Sequence, residues 1–464
     1  MHDPHSHEEG GIAAEHHLDH RVTPRRYAPN RALVPIIVLA AILQGCASMA
    51  EGVTKAVLEN RSSAENTLRC ELTGPAFGGM ASLYRATPAA DAIQTLKVLM
   101  VHGIGSAKPG YSARLQTHLI QALHLEKVAT TVKQITLQSQ EPIPGPLGEV
   151  HVTRYLSKDE KRALEFYELT WSAITRIEKE AALAYDVSGN YRHRRAGVNQ
   201  SIKEFVNSHA ADPMMYRGTS RTAILEAASQ AACWALSSTW SELPATSAQS
   251  CDRLNALRFF APHTQRTPDT EFVFITHSLG SQVVVDMLQQ EAERWRAFLD
   301  EAETNSDRQR LEHLNEGIRN YSARVYMLAN QLPLLRLGRE PPAIEGRWDA
   351  YCRPGGRSYN KRLFKELFIV AFSDPNDLLS YAIPPGFAEN FMDSRLCAKI
   401  VNVSVNVTPT LNIFQIGSIA DPVAAHVNYD ADPRVIELMV NGTANATPEA
   451  EQPLQCRWLE AVDK

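Results

Sequence analysis

The stretch that most limits the fold is residues 271–281, EFVFITHSLGS. Phe272–Thr276 is a short apolar and β-branched run of strand type. It stops on His277-Ser278, and from Leu279 to about Leu299 apolar residues recur at helical spacing. A buried strand that passes into a helix within so few residues belongs in a parallel sheet covered by helices. The turn between them is crowded, so it needs little bulk two positions beyond Ser278, and Gly280 stands there.

The rest of the chain repeats this alternation. Leu96–Val101, LKVLMV, predicts a strand running into His102-Gly103-Ile104-Gly105. Tyr111–Leu125 predicts a helix with Leu115, Leu119, Ile120, Ala122 and Leu123 on one face. Further strands are predicted over Val128–Leu137, Phe166–Thr170, Val325–Ala329, Leu367–Phe372 and Ile400–Val407, the last clear strand. Arg434–Val440 closes the chain as a helix that Asn441-Gly442 ends. Residues 139–149 are rich in Pro and Gly and predict a loop. Residues 173–257 are mostly helical in period, broken near Asp212-Pro213 and Leu243-Pro244. That is too long for one connection, so a helical insertion is expected. Residues 332–359, rich in Pro, Gly and Arg, are expected to fold over a site. There is no internal repeat. Strands alternating with helices predict an α/β fold with a mostly parallel sheet. The 464 residues suffice for one large or two medium domains, and a net charge of −5 without a basic stripe gives no reason to expect nucleic acid.

The N-terminal segment points out of the cytoplasm. Arg21, Arg25, Arg26 and Arg31 flank an apolar run, Ala32–Gly45, of about 14 residues, too short for a membrane span and right for a signal peptide. It ends Leu43-Gln44-Gly45-Cys46, which resembles a bacterial lipobox; Gln44 departs from the usual small residue. The resemblance implies cleavage before Cys46, its lipidation, and a membrane anchor. An uncleaved signal anchor is the alternative. Ala47-Ser48 carries no Asp retention signal, which favours the outer membrane, facing the periplasm or exterior. Residues 1–21 contain six of the 16 histidines. A start at Val22 would give an ordinary Arg-rich leader, so no metal-binding role is assigned to them. Six further cysteines, Cys70, Cys233, Cys251, Cys352, Cys397 and Cys456, fit up to three disulfides with 15 full pairings, or buried thiols. No Cys-x-x-Cys zinc spacing occurs. The expected organisation is a leader over 1–45, a lipidated tether followed by a β-rich or irregular entry segment over 46–94, the main α/β domain over 95–445 and a tail over 446–464.

In a parallel α/β sheet, reactive residues collect at the carboxyl ends of strands. Taken in order these are His102-Gly103, Ser278, Asn330 and the segment Ser373-Asp374-Pro375-Asn376-Asp377. Thr276-His277-Ser278-Leu279-Gly280 resembles the nucleophile elbow of the α/β-hydrolase family, with Thr276 where Gly is usual. A Ser capping a helix would be the plainer explanation. The family's chain order is Ser, then acid, then His. After Asp377 the sequence holds one histidine, His426, lying between the last predicted strand and the closing helix.

The resemblance therefore implies Ser278 as nucleophile, His426 as base and Asp377 as acid, since Asp377-Leu378-Leu379 matches the family's acid followed by two apolar residues. Asp374 is the alternative acid; the other carboxylate would shape the loop by an Asx turn. The N–H groups of Leu279 and Ile104 would form the oxyanion hole, with Gly103 allowing the turn. His102, His277 and Tyr429 are expected to be structural. No metal or cofactor is implied. The expected function is cleavage of a carboxylic ester, in a lipid or another hydrophobic molecule. A lipoprotein using the fold only for binding or assembly is the rival reading, and the intact Ser, Asp and His argue against it. An insertion that docks a partner protein is a third.

Overall fold

The computed structural model describes residues 70–84, 93–127, 132–139, 143, 147–188, 195–252, 256, 259, 269–300, 304–413, 417–443 and 456–458. The predicted leader, the lipobox with Cys46, the tether up to residue 69 and most of the C-terminal tail lie outside the described residues. Among the described residues, no helix is long and apolar enough to cross a membrane.

The strands are β1 (Cys70–Thr73), β2 (Gln94–Val101), β3 (Glu126–Lys127), β4 (Lys133–Leu137), β5 (Glu149–Leu156), β6 (Arg162–Thr170), β7 (Thr246–Gln249), β8 (Thr270–His277), β9 (Ser322–Leu328), β10 (Glu366–Ser373), β11 (Ala398–Val405), β12 (Thr410–Ile413), β13 (Gly417–Ala420) and β14 (Cys456–Trp458). Twelve of them make a 12-stranded sheet in the order β14-β1-β11-β10-β9-β8-β2-β6-β5-β4-β7, with β3 paired to β5; β12 and β13 form a separate hairpin. The run from β11 to β6 is parallel throughout. β5 is antiparallel to β4 and β6, and β1 to β11. The fold is thus α/β with a mostly parallel sheet.

The central strands are apolar on both sides because both sides are covered. Leu99, Val101, Phe274 and Val325 pack on one face under helices Ser220–Ser237 and Gly280–Asp300. Val98, Met100, Val273, Ile275 and Leu328 pack on the other with helices Ala113–Ala122 and Pro433–Asn441. Each such side chain contributes about 1.5–3 kcal/mol by leaving water, which holds β2 and β8 at the centre. From β2 the chain builds outward to β6 on one side; from β8 it builds to β9, β10 and β11 on the other. The winding reverses between β2 and β8, and that reversal opens a crevice at their carboxyl ends.

Several expectations need correction. Val128–Leu137 is not one strand: β4 begins at Lys133, and 128–131 lie outside the described residues. β5 starts at Glu149, the last residue of the predicted loop. Residues 173–257 are not all insertion, because Ser220–Ser237 is buried on nearly every side and packs on β2 and β6 as a core helix. Pro213 does not end the helix: Gly197–Phe205, the π turn Val206–Ala210 and Ala211–Arg217 follow one another without a gap, and the irregularity is the π turn, which lies just before Pro213, where a Pro inside a helix disturbs the hydrogen-bond ladder. Residues 332–359 return the chain to the foot of the sheet, where Cys352 bonds Cys397 immediately before β11. Ile400–Val407 is not the last strand, since β12, β13 and β14 follow. The other disulfides join Cys70 to Cys456 and Cys233 to Cys251.

Candidate active site

Register brings the first two strand ends together: Val101 pairs with Thr276, so His102-Gly103 runs beside His277-Ser278. Ser278 has φ +55°, a left-handed conformation that non-glycine residues seldom adopt. Its N–H donates to Leu328 O at 2.9 Å, which fixes the turn against β9. The crowding inferred from sequence is real. A Cβ on Gly280 would lie 2.3 Å from Val101 O, and one on Gly103 would lie 2.4 Å from Ser278 Cβ. Thr276 is fully buried within β8, with its hydroxyl oxygen unpartnered.

The segment after β10 presents two carboxylates, and geometry separates them. Both oxygens of Asp377 lie 2.9 Å from His426 Nδ1. Asp377 Oδ1 also accepts the Leu379 N–H at 2.9 Å, and Oδ2 accepts the Tyr429 hydroxyl at 3.3 Å. Burial works to raise the Asp377 carboxyl, but the hydrogen bond and charge of His426 outweigh it and hold it below the usual range. Asp374 forms no hydrogen bond or ion pair with His426 among the described residues. Its Oδ1 accepts the Asn376 N–H at 2.7 Å, an Asx turn, and its Oδ2 accepts the Val407 N–H at 2.7 Å. Burial pushes its carboxyl up. Tyr429 supports both segments, because its hydroxyl accepts the Asp374 N–H at 2.6 Å. Asn330 is structural: its amide donates to Tyr381 O at 2.7 Å and steadies the same loop.

His426 lies in the last turn of the short helix Pro422–Val427, whose first N–H groups are capped by Asp421. With Nδ1 committed to Asp377, Nε2 is the free nitrogen, and it is buried without a partner. Ser278 Oγ is likewise buried without a partner. Both atoms therefore carry an unmet hydrogen-bonding capacity, a costly state in a protein interior. The two neighbouring histidines are neutral supports. His277 Nε2–H donates to His426 O at 2.8 Å, and burial followed by the charge of His426 pushes its imidazole down to about 4. His102 stacks on Trp171 at 4.5 Å, accepts the Trp171 N–H at Nε2, and donates from Nδ1 to Gly103 O at 2.8 Å. Burial pushes it down to about 3.

The backbone N–H groups of Leu279 and Ile104 make no hydrogen bond among the described residues. The loop that carries Ile104 is held by a residue that sequence reasoning missed. Gly105 N–H donates to Asp212 Oδ2 at 2.7 Å, and Lys179 bonds Asp212 Oδ1 at 2.7 Å. Asp212 is fully buried, so the helices after β6 clamp this loop from above. His209 lies against Gly105 in the same layer, and burial lowers its imidazole. Nothing in the spacing of Lys179, His209 and Asp212 marked them. Among the described residues, no group of three His, Cys, Asp or Glu side chains could hold a metal ion. Comparison with protein-family models, with curated proteins and with solved structures finds no match to this chain.

Proposed function

We propose that the chain is a serine hydrolase of the α/β-hydrolase type that cleaves a carboxylic ester. Ser278 Oγ attacks the carbonyl carbon while His426 Nε2 takes its proton. Asp377 holds the imidazole with its proton on Nδ1 and stabilises the imidazolium that forms. The N–H groups of Leu279 and Ile104 receive the oxyanion. His426 then protonates the leaving alcohol, and water, deprotonated by the same nitrogen, releases the acid and restores Ser278. The observation that carries this reading is the pair of buried, partnerless atoms, Ser278 Oγ and His426 Nε2, with Asp377 fixing the other side of the imidazole. Ser278 is fully buried, so the reading requires the side chains that cover it to move aside for substrate.

The lipobox-like Cys46 and three disulfides support a lipid-anchored protein in an oxidising compartment of the cell envelope, with acyl lipids or other hydrophobic esters as substrates. The test is labelling of the full chain by a fluorophosphonate, beside Ser278→Ala and His426→Ala, followed by a panel of esters. Labelling of the wild type alone is expected. A folded wild type that does not label, and turns over no ester, would leave the chain as a non-catalytic binding lipoprotein.

A further inference from the structure

The flank of the helix that follows Ser278 carries a pocket that the proposed chemistry does not use. Its cavity measures about 440 Å³, and four arginines, Arg217, Arg221, Arg336 and Arg339, line it. Two carboxylates face them. Asp286, on the floor, is buried and already saturated: it accepts from the Tyr216 hydroxyl at 2.7 Å, from the Gln282 amide at 2.8 Å and from Arg339 at 2.5 Å, with Arg221 at 3.3 Å. Glu340, at the exposed rim, forms no ion pair among the described residues. Arg336 Nε is buried without a partner, and the guanidinium stands 5.3 Å over the Phe391 ring. Arg217 reaches across from the helical layer to Gly338 O.

Like charges lining one cavity repel, most strongly at the partly buried Arg336 and Arg339, since Arg217 and Arg221 are more exposed to screening by water. Asp286 balances Arg339 and Arg221, whereas Arg217 and Arg336 form no ion pair among the described residues, so positive charge is in excess in the pocket. A ligand that completes this site supplies negative charge and several oxygens to planar donors, which is the chemistry of a phosphate group. Leu332, Phe387, Phe391 and Met392 supply the apolar wall of the same pocket, with Phe391 directly beneath the Arg336 guanidinium. We propose that this pocket binds a phosphate group and that the apolar wall takes the body of the molecule carrying it. The proposal stands independently of the ester chemistry at Ser278.

The test is calorimetric titration of the full chain with two probes, inorganic phosphate and hexyl phosphate, neither of which contains a carboxylic ester. Saturable binding of both is expected, weakened at least tenfold in Arg217→Gln/Arg336→Gln and tightened in Glu340→Gln. Hexyl phosphate binding tenfold or more above inorganic phosphate identifies an amphiphile such as a lipid headgroup; equal affinities identify free phosphate. Absence of saturable binding up to about 10 mM of either probe overturns the proposal. So does a folded double variant that binds as the wild type does. If the double variant does not fold, Glu340→Gln decides alone, and unchanged affinity for phosphate overturns the assignment.

Discussion

Replacing Asp377 and Asp374 by Asn in separate variants divides activity from stability. Asp377 contacts His426 Nδ1 through both oxygens at 2.9 Å. An Asn there offers an N–H to Nδ1 and so places the imidazole proton on Nε2. In that tautomer His426 cannot take a proton from Ser278. The expected loss in kcat is about three to four decades, or roughly 4–5.5 kcal/mol of transition-state stabilisation. Asp374 instead accepts two backbone N–H groups, from Asn376 and Val407. An Asn keeps one acceptor and turns an N–H toward the other donor, costing about 1–3 kcal/mol of stability. Its kcat should stay within a few-fold of wild type. Hydrolysis of a short-chain p-nitrophenyl ester, with thermal unfolding of each variant, reads both effects. A larger drop in kcat for Asp374→Asn, or a drop under tenfold for Asp377→Asn, would refute the reasoning.

Three further outcomes are expected. Asp212→Asn keeps an acceptor for Gly105 N–H but leaves Lys179 without its buried counter-charge, so kcat should fall about tenfold with KM little changed, alongside a loss of roughly 1–3 kcal/mol in stability; an unaltered kcat would show that the loop carrying Ile104 needs no clamp. Cys456→Ser opens a bridge between residues 386 positions apart, and the denaturation midpoint should shift by the equivalent of about 2–5 kcal/mol; an unchanged midpoint contradicts this. His102 and His277 are held neutral by burial, at about 3 and about 4, whereas unfolded imidazoles take protons from near pH 6.5 downward. The unfolded chain therefore binds more protons than the folded one as pH falls, and stability drops by about 2–3 kcal/mol between pH 7 and 5.5. Urea unfolding at the two pH values measures it, and equal stabilities would show that these rings are not held neutral.

The central strands and the turn at Ser278 were legible because their signals are local. An apolar run, a small residue at Gly280 and a following amphipathic helix lie within a few residues of one another. His426 could be singled out by elimination, and the link of Asp377 to it is geometric: Asp377 faces His426 while Asp374 turns back to Val407. What stayed hidden depends on the path of the chain in space. Helix Ser220–Ser237 is rich in Ala and small residues all round, so it carries no stripe that would mark it as core rather than insertion. In β5 buried positions alternate with partly exposed His151, Thr153 and Arg154, and the preceding Pro- and Gly-rich stretch masked its start. Lys179 and Asp212 meet only because two helices pack, and no spacing rule links them.

The bridge between Cys70 and Cys456 has a mechanical consequence. β1 and β14 lie side by side and parallel at one edge of the sheet, and Cys70 pairs in register with Cys456 at their first residues. Tension arriving along the chain ahead of Cys70 therefore meets a covalent junction before it meets the hydrogen bonds of β1. The load divides between two strands, and β1 cannot be peeled from β11 without dragging β14 with it. A strand of only four residues, one in from the edge of the sheet, becomes, through one bond, a fixed point from which the rest of the sheet can be suspended.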